Sequence, residues 1–384
     1  FGENNSTLTN TKDITIKAMK SAGILANDSD VTNSGTNSKI IVEGTGSAGI
    51  AIETTLDATN AAIATAEKTA SNEGTITLES TSTGSAAMLG KRAAGTPKVT
   101  LSNSGTIDVE STGSVGINAD NTLGTKEEFV VNNSGIVNVK ADSSAGINAI
   151  TSTVNTVKDS QINLTAKKTA GIIAKDGSEV TNNGKISTSG VSVTAAADGL
   201  VGISADASTV TNGSTGEITL GTAYSAGIYG TNTSTIKNAG DITAEEKNSV
   251  GIYVEANSTA KNTRNITMKK EASAGIYGDE SKIVNETVDG KITIEEKSSA
   301  GMYAKNTDAI NDEGATITVK NEGSAGMYID TDKANITANG TNKGTITLDT
   351  GAKSSAGILA KLGASADKVT TITNDGEINV NGGD

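Results

Sequence analysis

The side chains that could do chemistry in this chain are carboxylates and tyrosines. Its 384 residues include no His, no Cys and no Trp. Without His or Cys there is no nucleophilic triad and no His-based proton transfer. A thiolate or imidazole zinc site is excluded for the same reason. Paired carboxylates can serve glycoside hydrolysis, and Glu127-Glu128, Glu245-Glu246 and Glu295-Glu296 are such pairs. They are adjacent, fall at turns and have Lys beside them, so they read as solvated corners. The local pair nearest to a calcium site is Asp28-Ser29-Asp30, which supplies too few clustered oxygens. The Gly-Gly-x-Gly-x-Asp nonapeptide of calcium β-rolls is absent. No enzyme activity, no metal and no cofactor are expected.

The tyrosines are more pointed. Five of the six, Tyr229, Tyr253, Tyr277, Tyr303 and Tyr328, end copies of one phrase, Ser-Ala/Val-Gly-Ile/Met-Tyr. The glycines of these copies are 24, 24, 26 and 25 residues apart. Counting outward, the phrase also surrounds Gly23, Gly49, Gly116, Gly146, Gly171, Gly202 and Gly357, with a degenerate copy at Ser85-Ala86-Ala87-Met88. A fixed period of 20–50 residues signals a solenoid, propeller or array.

A second phrase, Asn-x-Gly-x-Ile-x-Val or a variant, follows the first: Asn103-Ser104-Gly105-Thr106-Ile107-Asp108-Val109 is one copy. Within it apolar and polar residues alternate, the pattern of a strand with one face buried. A third short run precedes the Asn, as in Val210-Thr211-Asn212 and Ile372-Thr373-Asn374. Each coil is therefore three short strands joined by Gly, Asn, Asp and Ser turns. Strands that recur once per coil must stack in parallel. The expected fold is all-β, a right-handed three-sided parallel β-helix of about 13 coils occupying residues 1–384 as one domain. At ~4.8 Å per coil it would be a rod of roughly 60 Å.

Alternation assigns faces. The column from Ile24 to Ile358 that follows the motif Gly must face inward, and the Ala or Val before the Gly is assigned inward too. Val210 and Asn212 are two apart, so the Asn column also faces inward. Asn182, Asn212, Asn238, Asn285 and Asn374 are expected to form an internal amide ladder, bonded to the turn backbone and to the Asn one coil away. The Tyr column flanks the inward Ile and is expected to face outward, stacked at the coil spacing. The small motif Gly beside each ring is expected to leave the ring faces open. Cross-coil stacking would stabilise an exposed sheet; an exposed aromatic patch also marks an interaction site. Insertions are expected at residues 54–71, where Ala61 to Lys68 could form a short helix, and at 120–129, 151–159 and 188–199.

Composition narrows the partners. Net charge is −13 and only two Arg are present, so nucleic acid is not an expected partner. No apolar run approaches a membrane span, and no membrane contact by this stretch is expected. Without a signal peptide or a capping element, the chain reads as a piece of a longer protein.

The Ser-Ala-Gly-Ile-Tyr and Asn-x-Gly-x-Ile-x-Val repeats resemble those of the passengers of large RadD-like fusobacterial autotransporter adhesins, type V secreted outer-membrane proteins. The resemblance covers essentially the whole chain. It implies a surface-exposed β-helix, anchored through a C-terminal barrel not in this sequence. It also implies attachment to host cells or to other bacteria, through a protein receptor or a glycan. A spacer that presents a binding tip elsewhere, and a polysaccharide-degrading β-helix, are the alternatives.

Overall fold

A coil of the solenoid begins with the strand Ala226–Thr231, turns into Thr235–Asn238, and turns again into Asp241–Ala244. The next coil repeats this with Val250–Glu255, Thr259–Asn262 and Asn265–Met268. Each strand pairs in parallel with its counterpart one coil on. The chain is thus all-β, three parallel sheets wound as a β-solenoid of about 13 turns. The computed structural model describes residues 1–56, 66–334, 336–363 and 370–382. Among these there is no α-helix, only the 3-10 turns Lys126–Glu128 and Ala196–Asp198.

The chain divides into two units, Phe1–Val191 and Ser192–Asp384. Within each unit the strands form three parallel stacks of seven. In both, the interior follows from the alternation. Ile50, Ile147 and Ile172 in the first unit and Ile228, Ile252 and Ile276 in the second are fully buried. Each such Ile contributes roughly 2 kcal/mol by leaving water. Two places on, small residues such as Ala149, Ala205 and Ala304 fill the taper.

The Asn column runs through each unit, interrupted once in the first by Thr156. In the first, the Nδ2 groups of Asn10, Asn33, Asn72 and Asn103 each donate to the Oδ1 of the next member, ending on Asn133, at 2.8–2.9 Å. The Thr156 hydroxyl then donates to Asn182 Oδ1 at 2.6 Å. In the second, Asn212, Asn238, Asn262, Asn285, Asn311 and Asn342 donate in turn, ending on Asn374, at 2.7–2.9 Å. Members also donate to a turn carbonyl, as Asn285 does to Gly290 at 3.1 Å. Asn374 is on the ladder but exposed, as is Ile372 two places before it.

Two expectations need correction, and a third lies mainly outside the described residues. Residues 151–159 are not an extension: Thr153–Thr156 is a regular strand of the second sheet, in register with Val130–Asn133. Thr156 occupies the ladder position there, and the missing Asn hid the strand. The helix placed on Ala61–Lys68 falls mainly on residues 57–65, outside the described ones, and Lys68 itself opens the strand Lys68–Asn72. Finally, the Ala or Val before the motif Gly does not face inward. The ladder pairs Val250 with Ala274 and Ile252 with Ile276 but skips the glycine between them. Alternation restarts there, and the Ala shares the outward face with the Tyr.

Candidate functional site

That restart builds a site on the first sheet of the second unit. A trough of about 610 Å³ runs across the coils that contain Val250, Ala274, Ala300, Ala325 and Ala356. These small side chains are its floor. Tyr277, Tyr303, Tyr328 and Leu359 form one wall. The other wall is the corner before each first strand, with Asn248, Ala272, Ser298, Gly323 and Ser354 at its turn. All five corner residues have positive φ, between 52° and 63°. Only Gly323 adopts that conformation without a Cβ penalty.

The five column tyrosines are in register from Tyr229 to Tyr328, with Ser204 before them and Leu359 after. They face outward and are half-buried. Ring centroids are 5.3, 4.8, 4.9 and 4.7 Å apart, close to the coil spacing. Only Tyr303 and Tyr328 stack; the other three contacts are edge-on, at 62°, 88° and 71°. Edge-on contact sets the positive ring edge against a neighbour's negative face. The motif glycines do not open the ring faces. A Cβ on Gly275 would lie 2.6 Å from both Gly301 O and Ile292 Cγ2, so the glycine is required by close packing toward the interior.

The hydroxyl ends meet carboxylates. Tyr229 and Tyr253 both donate to Glu255, the latter at 2.8 Å. Tyr303 donates to Asp330 Oδ2 at 3.1 Å. Tyr277 and Tyr328 have no hydrogen-bond partner for their hydroxyls among the described residues. Burial, and then the bonded Glu255, push Tyr229 up to about 12. Burial and Glu255 raise Tyr253, and burial and Asp330 raise Tyr303. Burial and Asp279 raise Tyr277, although Lys305 opposes them. Lys305 is itself ion-paired with Asp279 at 3.4 Å.

Sequence reading missed the serine at the head of the phrase. The backbone N–H groups of Ser249, Ser273, Ser299 and Ser324 each donate to the hydroxyl of the serine one coil on, at 3.0–3.3 Å. Each hydroxyl donates back to its own corner carbonyl, as Ser299 does to Lys297 O at 3.1 Å. This ladder satisfies corner N–H groups that no strand pairs. The recurrence of Ser in that position was the available signal.

The other candidate groups are tied into the scaffold. Asp28 takes the backbone N–H and the hydroxyl of Thr55, and Asp30 takes the N–H of Thr69. Glu245 pairs with Lys269 at 2.8 Å and Glu295 with Lys320 at 3.2 Å, each one coil away. Glu128 pairs with the buried guanidinium of Arg92 at 3.0 Å. Among the described residues no group of three or more potential ligands could hold a metal ion. No helix among the described residues is long and apolar enough to cross a membrane.

The three parallel sheets and the coil-by-coil register define a parallel β-helix repeat protein. Residues 122–311 match the family model of the BigA third pectate lyase-like domain. That match takes in four of the five column tyrosines and ends before Tyr328. No curated protein and no solved structure matches the chain.

Proposed function

We propose that this chain is a length of the passenger of a bacterial cell-surface adhesin, and that the tyrosine trough of its second unit is an attachment surface for a host cell or another bacterium. The observation that carries this is the trough itself. Five tyrosines stand in one outward column on successive coils, three of them against a floor of Ala and Val. Exposed aromatic and apolar surface of this kind favours partner binding. The match to a pectate lyase-like β-helix domain supports the architecture, and the resemblance of the repeats to autotransporter passengers supports presentation at the cell surface from an outer-membrane anchor. The carboxylates flanking the trough are engaged by tyrosine hydroxyls and lysines, an arrangement suited to holding a wall in place and not to acid–base turnover.

The test is binding of the purified chain to host cells and to partner bacteria by flow cytometry, beside a variant with all five column tyrosines changed to Ser. Circular dichroism establishes that the variant is folded. Saturable binding by the parent, lost in the folded variant, is the expected result. A parent that binds neither surface would make this stretch a spacer.

A further inference from the structure

The dimensions of the trough narrow what it can hold. Its lining spans five coils, or four spacings of ~4.8 Å, a length of roughly 19 Å. An extended peptide strand repeats its same-face side chains every ~6.6 Å, out of step with the coils. The wall and floor instead repeat once per coil, with ring centroids 4.7–4.9 Å apart along Tyr253 to Tyr328. A slab-like chain of pyranose rings joined through equatorial bonds is narrow and advances by close to this length per ring.

The chemistry of the lining agrees. Ala and Val make a flat floor for the axial C–H face of a sugar, and tyrosine rings make a wall with the same preference. The free hydroxyls of Tyr277 and Tyr328 stand at that wall. The hydroxyl oxygens of Ser299 and Ser324 each accept one N–H and keep a second lone pair for a sugar hydroxyl. Along the hydroxyl edge of the wall lie Glu255 and Asp330, bonded to tyrosines, and Asp279, whose charge raises Tyr277. Lys305 pairs with Asp279 at 3.4 Å and Lys361 with Asp330 at 3.8 Å, so Glu255 is left as the net charge of that edge, which disfavours an anionic chain. Resting on the attachment reading above, we propose that the trough binds a neutral, unbranched, equatorially linked glycan, one ring per coil along the run of coils.

The test is titration calorimetry of the purified chain with soluble cello- and chito-oligosaccharides of increasing length. Malto-oligosaccharides, polygalacturonate and an apolar peptide are the comparison ligands. The expected result is affinity that rises with length and levels off near five rings, the number of coils lining the trough. Two folded variants should each lower that affinity at least tenfold: Ala300→Leu, which fills the floor while keeping every tyrosine, and Tyr303→Ser, which opens the wall. The inference is overturned if no β-linked oligomer binds, if affinity ignores length, if Ala300→Leu has no effect, or if polygalacturonate, maltooligomers or the peptide bind as well. The two readings fail separately. Cell binding lost in the tyrosine variant, but not inhibited by any β-linked oligomer, would leave the attachment surface standing and remove the glycan.

Discussion

The same outward column of the first sheet is built differently in the two units. In the first it holds Leu25, Ala51, Leu89, Asn118, Asn148 and Ile173, in register. There Asn148 Nδ2 donates to Asn118 Oδ1 at 2.8 Å. In the second it holds Ser204, five tyrosines and Leu359. The interiors behind the columns are alike: a buried Ile or Met column, an amide ladder and a serine ladder run through each unit. The backbone and interior are therefore repeated, while the outward column is free to vary. A specialised surface needs no new fold, only a change of residue type at one position per coil.

This comparison can be broken first from the inside. Asn262 is fully buried; it accepts from Asn238 and donates to Asn285 and to Arg264 O, at 2.7–2.8 Å. Asn262→Leu would leave two buried amide groups unpaired, Asn238 Nδ2 and Asn285 Oδ1, and should cost about 3 kcal/mol. Chemical denaturation would show it, and a loss under ~1 kcal/mol would remove the ladder from the account of stability. Next comes the outward column. Tyr277→Ser removes two edge contacts, at 4.8 and 4.9 Å, and should cost about 2 kcal/mol. Asn148→Ser, at the equivalent place in the first unit, should cost about 0.5 kcal/mol. Equal costs would mean that the tyrosines are no more than a surface.

The column should also titrate. The folded protein keeps Tyr229 protonated up to about pH 12, whereas an unfolded tyrosine ionises near pH 10. Its contribution is therefore fully present below about pH 10 and lost as pH rises from there through about 12. Tyr229→Phe should flatten that part of the stability profile, measured as the urea midpoint against pH. The smallest effect is expected at the cross-coil ion pairs. Lys269→Ala breaks the 2.8 Å contact with Glu245, yet both groups are well exposed, so the change should stay within about 0.5 kcal/mol.

Much of this was readable in the residues because the solenoid writes each structural rule once per coil. Period-two alternation placed Ile252 and Ile276 inside and Tyr253 and Tyr277 outside. The spacing of Val210 and Asn212 placed the amides beside the core. What escaped notice did so for physical reasons. The change of phase at Gly275 comes from a backbone kink that resets the alternation, so counting from Ile276 puts Ala274 on the wrong side. The strand Thr153–Thr156 carries a hydroxyl where its neighbours carry an amide. The serine ladder bonds to a backbone N–H one coil away, so the recurrence of Ser marks the position but not the bond. The left-handed corner is occupied by Ala272 and Ser298 as well as by Gly323, so composition does not mark it. The trough depends on all of these, and so only its tyrosine wall was visible beforehand.

The most direct measurement moves the column. In the variant lacking all five tyrosines, Leu89, Asn118, Asn148 and Ile173 of the first unit would be changed together to Tyr, and cell binding measured again beside the parent. If the scaffold is equivalent in the two units and the column carries attachment, binding should return with the circular dichroism unchanged. A folded graft that stays inert while the parent binds would contradict that account and tie attachment to features of the second unit other than its tyrosines.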